Sequence, residues 1–378
     1  MKVLNCLHRA HFGGAQWRVV WVGEELRDHG VDTWILFPKN KDTDYEHFLQ
    51  QRNFPYIRLR MPVLRAASRI LPNLEFLLDL PFQLRRVMRV LRDGDFDLVH
   101  VNGLTNVVPV IAGILVGRPV VWHWNDTFTP VWFARIVMPL LRFRCWFVVA
   151  SNAVWKAYNP VYYNERYLGV LLPPIPPVNI KIEESTQKLN VNGRVIGFVG
   201  HLVAAKGAME FVQVIAGLIA ADHDVTGVMV GGVLSGHEAF AQELKEKIET
   251  KGIGSRILQL GYRLDVIALM RQFDVLLFPS HHEAAPIVVL QALSIGLPIV
   301  ATPVGNVPEF LVDMQMSLVP IGDVSAMVNA VSKLLLIDDA ARQVYMVSAK
   351  TLVEESCSIA AVSARHLEVY QSACRSNE

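Results

Sequence analysis

Glu283 and Gln291 stand eight residues apart, one ahead of a short apolar run and the other inside it. A helix over that run places a carboxylate at its mouth and a carboxamide about two turns further on, so a ligand against the helix start can meet both. The surrounding span reads as a strand over 274–278, a polar turn, a helix over 287–295 and a returning strand over 297–301. Pro286 falls at or near the first helical position, where its missing N–H costs nothing, Ile287 opens the apolar face, and Gly296 stops the helix. The free N–H groups of residues 285–288 make that mouth an anion site. A second such mouth follows Gly200-His201-Leu-Val-Ala-Ala-Lys206-Gly207, where Lys206 adds a full positive charge to the partial one of a helix beginning at Ala208. His123 lies near the C-terminal end of a strand, the edge at which open α/β sheets bind ligands. It can act on a substrate there, or it can be a structural histidine. Gly13-Gly14 in the first turn either lets the backbone approach a phosphate or sugar closely or is a plain tight turn. Asp93-Gly-Asp95 has the look of a metal-holding pair. It lies between a helix end and a strand start, the wrong sheet edge, and reads as a surface turn.

These residues require two repeats of one architecture. Lys2 to Leu7 reads as a strand, His8 to Gly14 as a polar turn, and Ala15, Val19, Val22 and Leu26 as one helix face capped by Gly30, with a strand following over 33–37. Further strands over 98–101, 120–124 and 147–150 imply a parallel sheet. Leu171-Leu-Pro-Pro-Ile-Pro-Pro-Val is stiff and neither helix nor central strand. It divides the chain into a first lobe over 1–172, a linker over 173–177 and a second lobe over 178–362, with 363–378 available to return to the first. Strands over 195–199, 226–230 and 257–260 join those at 274–278 and 297–301 in a second sheet. The fold class is α/β, two Rossmann-like doubly wound lobes facing across a cleft.

At 378 residues and 52% hydrophobic the chain can bury two cores. Its net charge of +1 hides an asymmetry: residues 1–170 carry 21 Lys/Arg against 14 Asp/Glu, the remainder 15 against 21. The four cysteines lie far apart with no metal-ligand spacing, which suits free thiols in a reducing compartment. The N-terminal apolar run breaks too early for a signal peptide, and no run reaches the ~20 residues of a spanning helix. The expected location is the cytoplasm. A mean hydropathy of +0.30 keeps a membrane surface in view.

With these motifs assembled, the chain resembles the retaining glycosyltransferases of family 4, which have the GT-B fold. Gly13-Gly14-Ala15 is similar to their Gly-Gly-Ala helix opening, and Leu98-Val-His100-Val101 to their Val-His-Val-His strand. Val199-Gly200-His201 through Lys206-Gly207 resembles Val-Gly-Arg…Lys-Gly, Glu283 to Gln291 the Glu-x7-Glu signature, and Gly305-Asn-Val-Pro-Glu309 the Gly-Gly-x-x-Glu turn. The resemblance implies transfer of a sugar from a nucleoside diphosphate sugar to a glycan or lipid-linked acceptor hydroxyl, with retention at the anomeric carbon. It implies that Glu283 holds donor hydroxyls, that Pro286, Ile287 and the amides near them bind diphosphate with Lys206 and His201, that Gly14 approaches from the first lobe, and that His123 points at the donor sugar. It implies no metal and no other cofactor, because basic side chains and helix ends take the leaving charge. Two departures stand out: His201 replaces an arginine, and Gln291 replaces a carboxylate that accepts from both ribose hydroxyls. A sugar-nucleotide epimerase or hydrolase of the same fold and an inactive two-lobed scaffold are the alternatives.

Between Arg58 and Arg92 eight arginines interleave with leucine, isoleucine and phenylalanine. A basic amphipathic stretch of this kind can lie on an anionic membrane, which would place the protein on the inner face of the plasma membrane. Two ordinary surface helices would give the same composition. No nucleic-acid partner is expected, since no recognition motif accompanies the charge.

Overall fold

The computed structural model describes residues 1–9, 13–39, 43–64, 70–127, 129–141, 144–158, 166–176, 188–311 and 317–375. The chain divides into two compact units, Met1–Pro176 with Ser358–Glu378, and Pro177–Cys357. Val178, the expected start of the second lobe, lies outside the described residues, as do Arg65 and Arg69 of the basic stretch.

The first unit alternates β1 (Lys2–Cys6), α1 (Gly14–Arg27), β2 (Asp32–Pro38), α2 (Asp44–Gln51), β3 (Tyr56–Leu59), α3 (Ile70–Asp93), β4 (Leu98–Asn102), α4 (Val107–Val116), β5 (Val120–Trp124), α5 (Val131–Leu141), β6 (Trp146–Val149), α6 (Asn152–Tyr158) and β7 (Tyr167–Val170). All pairings are parallel, in the order β3-β2-β1-β4-β5-β6-β7. Every residue of β4 and β5 is buried, and these strands read as near-unbroken apolar runs because both faces are covered. The order reverses between β1 and β4, the place where doubly wound sheets open a crevice.

Among the described residues the basic stretch holds one helix rather than two. Pro81 sits inside α3, yet its residue is exposed, so the missing donor falls on the watered side and the helix continues. Phe76, Gln83, Val87 and Leu91 form its buried stripe. Asp93 ends α3 and Asp95, at φ +45°, pairs with Arg118 at 3.0 Å, so that acidic pair is a surface turn.

The second unit comprises β8 (Arg194–Val199), a 3-10 turn (Ala204–Lys206), α7 (Ala208–Ala220), β9 (Val225–Val230), α8 (Glu238–Thr250), β10 (Ile257–Gly261), α9 (Val266–Met270), β11 (Val275–Phe278), α10 (Ile287–Ser294), β12 (Ile299–Ala301), α11 (Val307–Leu311), β13 (Ser317–Leu318), α12 (Val324–Leu335) and α13 (Asp339–Cys357). Its sheet is also wholly parallel, in the order β10-β9-β8-β11-β12-β13, and reverses between β8 and β11.

A last helix, α14 (Ile359–Arg375), belongs to the first unit. Ser358 bridges Ile175, and Val362, Val369, Tyr370 and Ala373 share a core cluster with Val3, Val22, Leu26, Leu98 and Val121. The division therefore falls at Ser358 rather than Ser363, because the helix already starts at Ile359.

Candidate active site

In the second unit the two chain segments that leave β8 and β11 meet at the switch point. Gly207 follows the 3-10 turn at φ +71°, and a Cβ there would stand 2.1 Å from the Pro279 carbonyl oxygen. Only glycine lets the Lys206 turn lie so close to the end of β11. His281 N–H donates to Ala205 O at 2.9 Å, and the Ser280 hydroxyl lies 3.1 Å from the same oxygen. Ser280 itself is fully buried, and Thr302 Oγ1 donates to its carbonyl.

This scaffold brings Lys206 and Glu283 together. Lys206 Nζ donates to Glu283 Oε1, to which the Ser280 hydroxyl also reaches at 3.2 Å. One carboxylate oxygen is thereby committed. Pro286 is the N-cap of α10 rather than its first residue, with extended backbone at φ −71°, so the helix opens at Ile287. Gly305, at φ +58°, lets the segment after β12 pack against that turn: a Cβ there would be 2.6 Å from Ala284 O. Gln291 is half-buried on α10, and its carboxamide has no hydrogen-bond partner among the described residues. His201 is exposed just after β8. Beside this group, His281 Nε2 lies 2.7 Å from Glu210 Oε1 on the first turn of α7.

The first unit holds a different arrangement. His123, at the end of β5, is fully buried, and both ring nitrogens are engaged within its own unit. Arg18, from α1, is 3.3 Å from His123 Nε2 and also donates to Asn125 Oδ1 at 3.1 Å and Asn102 Oδ1 at 2.5 Å. A guanidinium only donates, so His123 Nε2 accepts and Nδ1 carries the proton. That proton points to His100 Nε2 at 3.2 Å, and His100 Nδ1 in turn reaches the Tyr370 hydroxyl at 2.8 Å. Burial, with the Arg18 charge adding to it, holds His123 well below the usual imidazole range. His100 is lowered likewise by burial, and His366, from α14, is lowered to about 3. Burial also lowers Arg18 to about 10. All three imidazoles are therefore neutral near pH 7.

Gly13 caps α1 with extended backbone and Gly14 is its first residue; Gln16 Nε2 donates to Arg9 O at 2.9 Å across the turn. The structure thus gathers Lys206, Glu283, Pro286 and Ile287 in one unit, and places Gly13, Gly14 and His123 in the other. Sequence reasoning missed Arg18, Asn102, Asn125, Tyr370 and Ser280. A lone arginine on an otherwise apolar helix face was the one available signal for Arg18.

Residues 13–154 match the Glycosyl transferase 4-like domain, and residues 193–336 match Glycosyl transferases group 1. The chain therefore carries a glycosyl transferase 4-like domain followed by a glycosyl transferases group 1 domain, and its two Rossmann-like units have the GT-B fold. The lipopolysaccharide core biosynthesis mannosyltransferase LpsB of Rhizobium meliloti (strain 1021) is 28% identical over 199 residues, covering 52% of this chain and 56% of that protein. D-inositol 3-phosphate glycosyltransferase of Corynebacterium diphtheriae is 30% identical over 174 residues, covering 44% and 40%. The chain thus spans about half the length, or less, of these curated relatives. Anabaena Alr3699/HepE, solved in complex with UDP, matches with a TM-score of 0.81 at 21% identity, covering 98% of this chain and 100% of that one. At that identity the likeness is one of fold.

Proposed function

We propose that this protein transfers a sugar from a nucleoside diphosphate sugar to a hydroxyl of a glycan or lipid-linked acceptor, with retention at the anomeric carbon. The observation that carries this reading is the meeting of Lys206, Glu283 and the start of α10 at the switch point of the second sheet. A fixed ammonium and free helix amides are suited to a diphosphate leaving group, and they need no reorganisation as charge develops on it. Glu283 accepts from sugar hydroxyls with the oxygen that Lys206 leaves free. His201, exposed in the same turn, adds a donor to the diphosphate. The acceptor oxygen bonds to the anomeric carbon on the face the diphosphate leaves, and the departing phosphate oxygen takes the acceptor proton. His123, neutral and bonded on both sides, holds the end of β5 in place and exchanges no proton.

The charge on the leaving group is met by Lys206, His201 and the helix start, so turnover is metal-independent and unaffected by EDTA. HepE was solved with UDP and with UDP-glucose, and LpsB is named for lipopolysaccharide core synthesis; these favour a UDP-sugar and an envelope glycan. The test is a thermal-shift scan of UDP-, GDP- and ADP-sugars, followed by transfer to glycan acceptors with the product anomer read by NMR. An inverted anomer defeats the retaining mechanism. Gln291 in place of a carboxylate favours one second reading, a protein that binds the donor without transferring it. Stabilisation by a donor with no product from any acceptor would establish that reading.

A further inference from the structure

Among the described residues nothing covers the outward stripe of α3. Leu71, Leu78 and Phe82 are 79%, 69% and 56% exposed, and Leu74 and Leu77 stand out beside them. Positions 71, 74, 78 and 82 follow helical spacing on the side opposite the buried Phe76, Gln83, Val87 and Leu91. The same stripe continues through Arg85, Arg89 and Arg92, all exposed. It is therefore apolar over its first three turns and basic over its last two.

The arginines of this region divide by what they touch. Arg58 pairs with Glu46, Arg86 with Asp79 and Arg60 with Glu75. Arg85, Arg89 and Arg92 make no ion pair among the described residues. Exposed leucines cost free energy in water, and three uncompensated guanidinium groups beside them add an electrostatic preference for a negative surface. We infer that this face of α3 is a docking surface for an anionic lipid bilayer, with Leu71, Leu74, Leu78 and Phe82 entering the acyl boundary and Arg85, Arg89 and Arg92 lying among the headgroups. Charge complementarity decides for lipid: the three guanidinium groups continue the apolar stripe without an acid among the described residues to pair them, and an anionic headgroup layer over an acyl boundary meets both halves at once.

The experiment is sedimentation of the full chain with sucrose-loaded vesicles, either phosphatidylcholine alone or an equal mixture with phosphatidylglycerol, with no sugar donor present. Three arginines near the surface raise partitioning onto the anionic vesicles by about 100-fold at moderate salt, a gain that high salt removes. Replacing Arg85, Arg89 and Arg92 by alanine abolishes the difference between the two lipids. Replacing Leu71, Leu74, Leu78 and Phe82 by serine abolishes binding to both. Tryptophan fluorescence melts of each variant establish that the first unit is still folded. Equal partitioning of the unaltered chain onto both lipids, no sedimentation, a lipid difference that survives the folded arginine variant, or binding that survives the folded serine variant overturns the proposal. So does a lipid-free dimer that the serine variant dissolves, because the apolar face then belongs to a second copy.

Discussion

Lys206 and Glu283, 77 residues apart in the chain, are joined as an ion pair where β8 and β11 end. Both side chains are largely shielded, at 29% and 13% exposure, so neither loses its partner cheaply. Glu283→Gln and Lys206→Met are each expected to lower kcat/KM for sugar transfer by roughly 100-fold, the scale of losing one positioned charge in a site. The double variant is expected to lose less than the product of the two, since each single variant leaves the other group uncompensated. Steady-state kinetics on the four proteins checks this; a Glu283→Gln enzyme of wild-type rate refutes the assigned role.

Gly207→Ala is expected to disrupt the second unit around that pair. The residue sits at φ +71° and its Cβ would meet backbone rather than a movable side chain. The cost is about 3 kcal/mol or more, combining left-handed strain with a displaced strand end. Urea unfolding followed by far-UV circular dichroism should show it, together with loss of donor-induced stabilisation.

The buried imidazoles make the first unit sensitive to acid. His100 and His123 are held well below 6.5 and His366 is near 3, so between those values and 6.5 the unfolded chain binds protons that the folded unit does not. Stability is therefore complete above the unfolded value and falls as pH drops through the window, by about 1.4 kcal/mol per pH unit for each histidine. All eight tryptophans lie between Trp17 and Trp155, so their fluorescence reports this unit alone. Denaturation midpoints measured from pH 7 down to 4.5 should decline steeply, and His366→Phe should make the decline shallower. A flat profile contradicts the buried neutral network.

Gln291→Glu restores the second carboxylate of the resembled signature. The unpartnered carboxamide has one acceptor oxygen, whereas a carboxylate can accept from two neighbouring hydroxyls. The variant is expected to bind UDP roughly tenfold more tightly, a difference of about 1.4 kcal/mol. Isothermal titration with UDP and with its 2′-deoxy analogue separates ribose recognition from a general effect: the gain should vanish with the deoxy nucleotide.

The inner strands of both sheets were legible because burial on both faces turns them into unbroken apolar runs, as in Val120 to Trp124, whereas the edge strands β3, β7 and β13 carry no such run and were missed. The polar turns after β8 and β11 were legible for a related reason, since Lys206 and Glu283 interrupt such patterns at the edge where ligands bind. Their direct pairing was not, because no local spacing links residues 77 positions apart. Arg18 was hidden for a similar reason: its acceptors come from the ends of β4 and β5, and a lone arginine on an apolar helix face does not say which groups it will bond. The basic stretch was also open to a reading as two surface helices, and Pro81 lies inside the one that forms over 70–93. The exposed position it occupies let the helix run through.

The return of α14 to the first unit has a consequence for how the protein is made. Tyr370 bonds His100, and Val362, Val369 and Ala373 close a cluster begun by Val3. On the ribosome, the half that emerges first must wait for a helix translated after the entire second half. Until then it exposes the apolar floor that this helix will cover, which makes the nascent chain a client for holdase chaperones during that interval.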